Sequence, residues 1–387
     1  MKKYNNKINR NTIKKSNQPE IVAIYCPLWH NYDHASSWKG EGWCEWELLK
    51  KARPRFKGHN MPVTPSWGYF DESDPHWSEK EIDLASKYGI DVWLVDWYWY
   101  NGVKIMQEAL ENGLLRARNR KKVKFALMWA NHEWWDYFPA PFDGTRNWLL
   151  PIRHSERDMQ RVIEYCAENY FSKSHYWTVG REIFFSVFQP AFMVKSLGGP
   201  EKTRRIFEKL NRYLASCRLP PIHWNAQLYS PADSGLLKKA GFKSATNYNV
   251  AGIDRTPENL LIPYDSLIEQ HEKHWNKMLK ESSLPYAPVV TMGWDVTCRC
   301  EENIPWPFPP SPKTGRFDYP YCPIVNDNSP EKFRILCEKA LRFVQDTKPS
   351  PYAIFVNAWN EWTEGSYLLP DRTHGTAYLK AMSKALK

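Results

Sequence analysis

The chain has 387 residues, 42 % apolar and 25 % charged, with a formal net charge of +10. That length buries a sizeable core in one large or two ordinary domains, and no apolar run approaches the ~18 residues of a membrane span. Residues 1–20 hold six Lys/Arg and one Glu, half of the net charge, so the basicity is a tail and not a nucleic-acid footprint.

The tail has no apolar periodicity and no apolar core of a secretory signal. We therefore expect residues 1–20 to be a disordered basic tail, and 21–387 to form one catalytic domain. The expected location is cytoplasmic, or secreted or periplasmic if the start is trimmed. Eight cysteines are scattered without a C-x-x-C pair, which reads as free thiols. Twenty Trp and 21 Tyr exceed what a core needs, and suit a cleft that stacks sugar rings.

From residue 21 onward, short β-rich apolar runs alternate with helix-like segments. Runs at 21–29, 91–99, 123–130, 182–189, 221–227, 244–250, 287–295 and 352–359 predict eight strands. Helices are expected near 78–88, 104–118, 156–169, 201–217, 233–240, 264–281, 330–346 and 375–386. Ser155, Gly199-Pro200 and Ser329-Pro330 supply start signals. Eight continuous apolar strands alternating with eight helices argue for an α/β fold, a (β/α)8 TIM barrel. A doubly wound open sheet is the alternative, but the first strand-to-helix turn lacks a Gly-rich phosphate fingerprint.

Three connections are far longer than ordinary: 30–77, 131–154 and 296–329. Loops of this length belong on the functional, C-terminal face of a barrel. The Pro- and aromatic-rich stretch CRCEENIPWPFPPSPKTGRFDYPYCP reads as a stiff lid. The basic run KKARPRFKG (50–58) reads as a solvated, loop-anchoring face.

The strand ends collect acids, amides and indoles at that rim. Asp96 stands in an apolar run and needs a partner. Asp96, Tyr98, Trp129, Asn131, Glu133, Trp294, Asp295 and Asn360 are candidate sugar contacts. Glu361 and Glu364 follow the eighth strand. In a helical or tight turn, residues three apart share one side, so one carboxyl should hold its proton beside an ionised partner. Either Glu alone would more often be a solvated loop residue; the surrounding rim argues for a catalytic pair. No Ser-His-Asp spacing or phosphate loop is present, and His30, His132 and Glu133 lack metal-ligand spacing. We expect no cofactor, no resident metal, no nucleic acid and no membrane span.

GWCEWELLKKARPRFKGHNMPVTPSWGYFD, KYGIDVWLVDWYWYNG, MWANHEW and NAWNEWTEGSYLLPD, in this order, resemble the WbsX-like family, relatives of glycoside hydrolase family 99. That group includes the endo-α-mannosidases. The resemblance implies a (β/α)8 barrel acting on an oligosaccharide or polysaccharide. For the hydrolase relatives it implies retention: Glu361 deprotonates the substrate's own 2-hydroxyl, giving a 1,2-anhydro sugar, and Glu364 protonates the leaving group and then activates water. An α-linked, manno- or rhamno-configured glycan is the expected substrate. This chain departs from the family's third-strand pattern W-A-N-E-N-W, having Trp129-Ala130-Asn131-His132-Glu133-Trp134, with the acid moved by one position. WbsX-like chains also carry the label glycosyltransferase, so transfer in surface-polysaccharide assembly is one alternative. A non-catalytic glycan-binding barrel is another.

Overall fold

A computed structural model describes residues 18–136, 138–251 and 254–386. Most of the tail, residues 1–17, lies outside the described residues. Eight parallel strands form the barrel: β1 Glu20–Tyr25, β2 Val92–Tyr100, β3 Lys124–Trp129, β4 Glu182–Val187, β5 Ile222–Gln227, β6 Ser244–Thr246, β7 Val289–Thr291 and β8 Ala353–Asn357. Their spatial order is β6-β5-β4-β3-β2-β1-β8-β7. The seam between β6 and β7 is closed by the Ala245–Tyr286 bridge, with Ala287 N donating to Ala245 O at 3.0 Å. The strands are buried along nearly their whole length because helices cover the sheet's outer face.

The helices start where the sequence places caps. Ser155 accepts from Asp158 N at 3.1 Å and Ser329 from Lys332 N at 3.3 Å, each satisfying one of the amides a helix start leaves open. The expected helix over 104–118 is not regular. Asn101 and Gly102, both at positive φ (52° and 99°), turn the chain so that Val103–Ile105 pairs back onto β2. Only a π-type turn, Ala109–Gly113, and a 3-10 turn, Leu114–Arg116, follow. A Cβ on Gly113 would stand 2.2 Å from Glu72 O, so this segment must pack its backbone tightly against the first long loop.

The long connections are built structures. Residues 30–77 carry two short helices, Asp33–Lys39 and Trp46–Lys51. Residues 131–154 hold an antiparallel pair, Trp134–Asp136 with Asn147–Leu150. The lid after β7 has its own small core of Ala140, Leu260, Cys300, Phe308 and Tyr321. Arg55, from the basic run at 50–58, anchors that lid by donating to five carbonyls: Thr297, Cys300, Glu301, Glu302 and Ile304, at 3.0–3.3 Å. The eight cysteines are all free thiols. Among the described residues no helix is long and apolar enough to cross a membrane.

Candidate active site

The chain leaving β8 makes a two-residue strand, Asn360–Glu361, paired with Ser366–Tyr367, and between them the tight turn Trp362–Glu364. The turn closes at Gly365, whose φ of 65° favours glycine and whose Cβ would stand 2.8 Å from Asp295 N. This turn presents Glu361 and Glu364 to the same cleft, 3 % and 8 % exposed.

One guanidinium joins them. Arg299, on the 3-10 turn just after β7, donates from Nη2 to Glu361 Oε1 at 2.8 Å and from Nη1 to Glu364 Oε1 at 2.7 Å. Nη2 also reaches Glu45 Oε2 at 3.3 Å, and the group lies over the Phe138 ring, 4.6 Å from its centroid. The Tyr319 hydroxyl donates to Glu364 Oε1 at 2.9 Å, and Thr363 Oγ1 donates to Glu45 Oε2 at 2.8 Å. Three buried carboxyl groups thus share a single buried cation. Burial and the neighbouring Glu361 charge push the Glu364 carboxyl up to about 7, against the opposing pull of Arg299. At neutral pH Glu364 is poised to give a proton beside a carboxylate held by Arg299.

A second group meets at the floor of the cleft. The Tyr248 hydroxyl lies 3.2 Å from Glu361 Oε2, 3.4 Å from Asp96 Oδ2 and 3.2 Å from Cys26 Sγ. Burial, then the Glu361 charge, holds the Asp96 carboxyl well above the usual range. Cys26, Asp96 and Glu361 have ligand atoms within 4.8 Å of one another, a set that could in principle hold a metal ion. Tyr248 already reaches all three groups, however, and Arg299 puts a fixed positive charge on Glu361, so the arrangement favours hydrogen bonding over a cation.

The sequence-derived contacts separate into two sets. Asp96, Tyr98, Glu133 and Trp294 line the cleft with Glu361 and Glu364. Asp96 and Tyr98 face inward because alternate residues of β2 do; Trp97 and Trp99 face the other way and stack at 5.6 Å. By the same alternation Met128 and Ala130 line the cleft while Trp129 is buried against Trp97 and His154. Three others hold the frame. Asn131 accepts from Gln189 N at 2.6 Å and donates to Gln189 O at 3.1 Å. Asn360 accepts from Cys26 N at 2.7 Å and donates to Cys26 O at 3.0 Å, tying the end of β1 to the chain entering the Trp362–Glu364 turn. Asp295 turns away from the cleft, its oxygens on His59 Nε2 at 2.7 Å and Thr297 Oγ1 at 2.7 Å. Sequence reasoning missed Glu45, Arg299 and Tyr319 as site residues. The available signals were an acid between Trp43 and Trp46, and a lone Arg between two cysteines at the start of the lid.

The cleft, about 770 Å³, is walled by Tyr32, Trp38, Trp134, Phe188 and Tyr229 around these carboxyl groups. The site is thus an eight-stranded barrel with acids and aromatic faces gathered at its C-terminal rim. The chain belongs to the family described as Glycosyltransferase WbsX, which matches residues 21–382. Two curated relatives, the uncharacterized WxcX proteins of two strains of Xanthomonas campestris pv. campestris, are 25 % identical over 388 residues. The match covers 95 % of this chain and 49 % of theirs, so the chain spans about half the length of these relatives. Among solved structures, a glycoside hydrolase-like protein superposes with a TM-score of 0.64 at 13 % identity, covering 97 % of this chain and 96 % of that one. The GH99 endo-alpha-mannosidase from Bacteroides thetaiotaomicron superposes with a TM-score of 0.56, also at 13 % identity, covering 95 % of each chain.

Proposed function

We propose that the chain is a glycoside hydrolase that cleaves an α-linked, manno- or rhamno-configured glycan with retention. The observation that carries this reading is Glu364, held near neutrality beside the Arg299-paired Glu361, both open to an aromatic cleft. In the first step Glu361 takes the proton of the substrate's 2-hydroxyl, and that oxygen attacks the anomeric carbon. The glycosidic C–O bond breaks, and Glu364 gives its proton to the leaving oxygen. In the second step Glu364, now a carboxylate, takes a proton from water. The hydroxide opens the 1,2-anhydro ring at the anomeric carbon, and Glu361 returns its proton to the 2-oxygen. Two inversions give net retention.

Glycosyl transfer is the second reading, favoured by the family's own description. It requires only that an acceptor hydroxyl replace water, or that a nucleotide replace the glycan leaving group. Incubation with α-mannan and α-rhamnan oligosaccharides, each with and without nucleotide sugars, separates the two. Release of shorter glycans without nucleotide, lost in Glu364→Gln, is the expected result. Turnover that requires a nucleotide sugar would replace hydrolysis by transfer.

A further inference from the structure

The barrel has a second rim, opposite the cleft, where the chain enters its strands. The connections entering β2 to β8 run over 89–91, 117–123, 172–181, 217–221, 241–243, 282–288 and 348–352. Together they hold nine Lys or Arg and one acid, Asp91. Three of the cations are spent on carboxylates: Arg118 on Glu79 at 2.7 Å, Lys122 on Asp83 at 2.7 Å, and Lys243 on Glu182. The other acid that opens a strand, Glu20, is taken up by Lys124 at 2.8 Å. Six cations remain: Arg120, Lys121, Lys173, Arg181, Arg218 and Lys348. All but the half-buried Arg120 are exposed, and none forms an ion pair among the described residues. The last turns of the helices leading in carry both signs, Lys238, Lys239 and Lys280 standing with Glu168, Glu281 and Asp346, so the excess belongs to the connections.

These charges are felt together. His175, 7 % exposed, is depressed to about 4, by burial first and then by Arg120, Lys121 and Lys173. Three unpaired cations from two separate connections therefore act on one ring. Residues 1–17 join the chain at the same rim, just before β1, and bring six more Lys/Arg with no acid.

A cationic face is often merely solvated, but two features specify a partner here. The six cations stand at the entries to β3, β4, β5 and β8, spread around the rim and not along one groove. That distribution matches a plane of anionic headgroups better than the line of phosphates on a nucleic acid. Moreover, among the described residues no exposed large apolar side chain lies in these connections, so the stacking platforms that single strands require are missing there.

We infer that the strand-entry rim is a membrane-docking face, which seats the barrel reversibly on a bilayer rich in anionic lipid. Glu361 and Glu364 follow β8 at the other end of the barrel, so docking on this face turns the cleft toward the aqueous side. With no apolar anchor on the rim, attachment is electrostatic and yields to salt.

Vesicle sedimentation of the full chain tests this, with phosphatidylcholine alone and with an equal mixture of phosphatidylcholine and phosphatidylglycerol. At low salt the chain should partition at least tenfold more strongly onto the mixed vesicles, and high salt should abolish the difference. The variant Lys121→Gln/Lys173→Gln/Arg181→Gln/Arg218→Gln should lose at least tenfold of that binding with residues 1–17 still present. Its four substituted side chains are exposed and unpaired, so its circular dichroism and melting temperature should match the wild type. On mixed vesicles, amide exchange should slow over 117–123 and 172–181 and stay unchanged over 297–304 in the lid. Equal partition onto both vesicles overturns the proposal, as does slowed exchange in the lid in place of the rim. Binding that the four substitutions leave untouched overturns it too, and gives the contact to residues 1–17 alone. Salt-sensitive binding of duplex DNA or single-stranded RNA, with none to mixed vesicles, would assign the face to nucleic acid instead.

Discussion

Arg299 Nη1 stands 2.7 Å from Glu364 Oε1, and the same guanidinium holds Glu361 at 2.8 Å. The two carboxyl groups are therefore not independent: one lid residue sets the charge around both. Glu45, Glu361, Arg299 and the Tyr319 hydroxyl all face Glu364. A reaction that needs Glu364 protonated should decline as pH rises through about 7. Arg299 opposes proton uptake, so Arg299→Gln should move this alkaline limb upward by about one unit or more, with lower kcat. Arg299→Lys keeps the charge and should hold the limb close to wild type. A purely structural role would lower activity in both variants and leave the pH profile in place.

The barrel was legible because burial on both faces leaves continuous apolar runs, and β2 shows this from Val92 to Tyr100. The place of the two acids was legible too, since Glu361 and Glu364 directly follow the last strand and open into the cleft. The roles of Asn131, Asn360 and Asp295 were not legible. Each sits at a strand end, yet a side chain that bonds the backbone of a neighbouring strand has the same sequence signature as one that bonds a sugar. Trp129 shows a different failure: it pairs with Trp97 and Met128 with Asp96, and that register between two strands is not written in the strand-end pattern. Arg299 was hidden by distance in sequence, since it meets Glu45 across 254 residues.

Two aromatic residues of the lid pack within the lid and not over the cleft. Phe308 is 2 % exposed in the lid's own core, and Trp306 packs on Phe308 and Phe56, so neither lines the cleft. Phe308→Ala should therefore cost stability, about 3 kcal/mol by analogy with other buried aromatic truncations. Its KM should change little in the fraction that remains folded. Thermal unfolding monitored beside steady-state kinetics checks this; a raised KM with an unchanged melting temperature would place Phe308 at the cleft.

Arg55 gives a sharper version of the same test. Five carbonyl acceptors at the root of the lid lose their donor in Arg55→Ala, and Arg299 sits on that root. Hydrogen bonds to a charged donor contribute about 1.5–3 kcal/mol in favourable cases. We expect a lower melting temperature and faster amide exchange over 297–304. Activity should fall through kcat, because the guanidinium between Glu361 and Glu364 loses its fixed position. Wild-type exchange in this segment would show that the lid's own core suffices.

Glu361→Gln and Glu364→Gln should each cost about 10²–10⁴-fold in rate, as loss of a general base or acid typically does. Both should remain folded, since Gln keeps the size of each side chain and relieves an excess of buried negative charge around Arg299. Circular dichroism and turnover on an identified glycan check the pair together. Near wild-type rates in both would remove these residues from the chemistry.

The last prediction concerns the substrate's 2-hydroxyl. A retaining enzyme of the ordinary kind attacks with its own carboxylate, about 5–5.5 Å from the acid and across the anomeric centre. Here Glu361 and Glu364 lie on one short turn and are held by one guanidinium, which does not suit two groups placed across an anomeric centre from each other. The other acids are poorly suited to the nucleophile's role. Asp295 is occupied by His59 and Thr297, and Glu133 accepts from Trp148 Nε1 at 3.2 Å. Burial, then the Glu361 charge, raises the Asp96 carboxyl well above the usual range, which disfavours the carboxylate a nucleophile needs. Attack by the sugar's own oxygen meets this shortage, provided the 2-hydroxyl is trans to the leaving group, as in α-mannosides and α-L-rhamnosides. We therefore expect 2-deoxy and 2-O-methyl substrates to bind and not react, and α-glucosides, whose 2-hydroxyl is cis, to be inert. Kinetics on a matched set of these compounds, with binding measured separately, decides the point. Turnover of the 2-deoxy compound at a comparable rate would give the nucleophile back to the protein, and Asp96→Asn would then be the first variant to make.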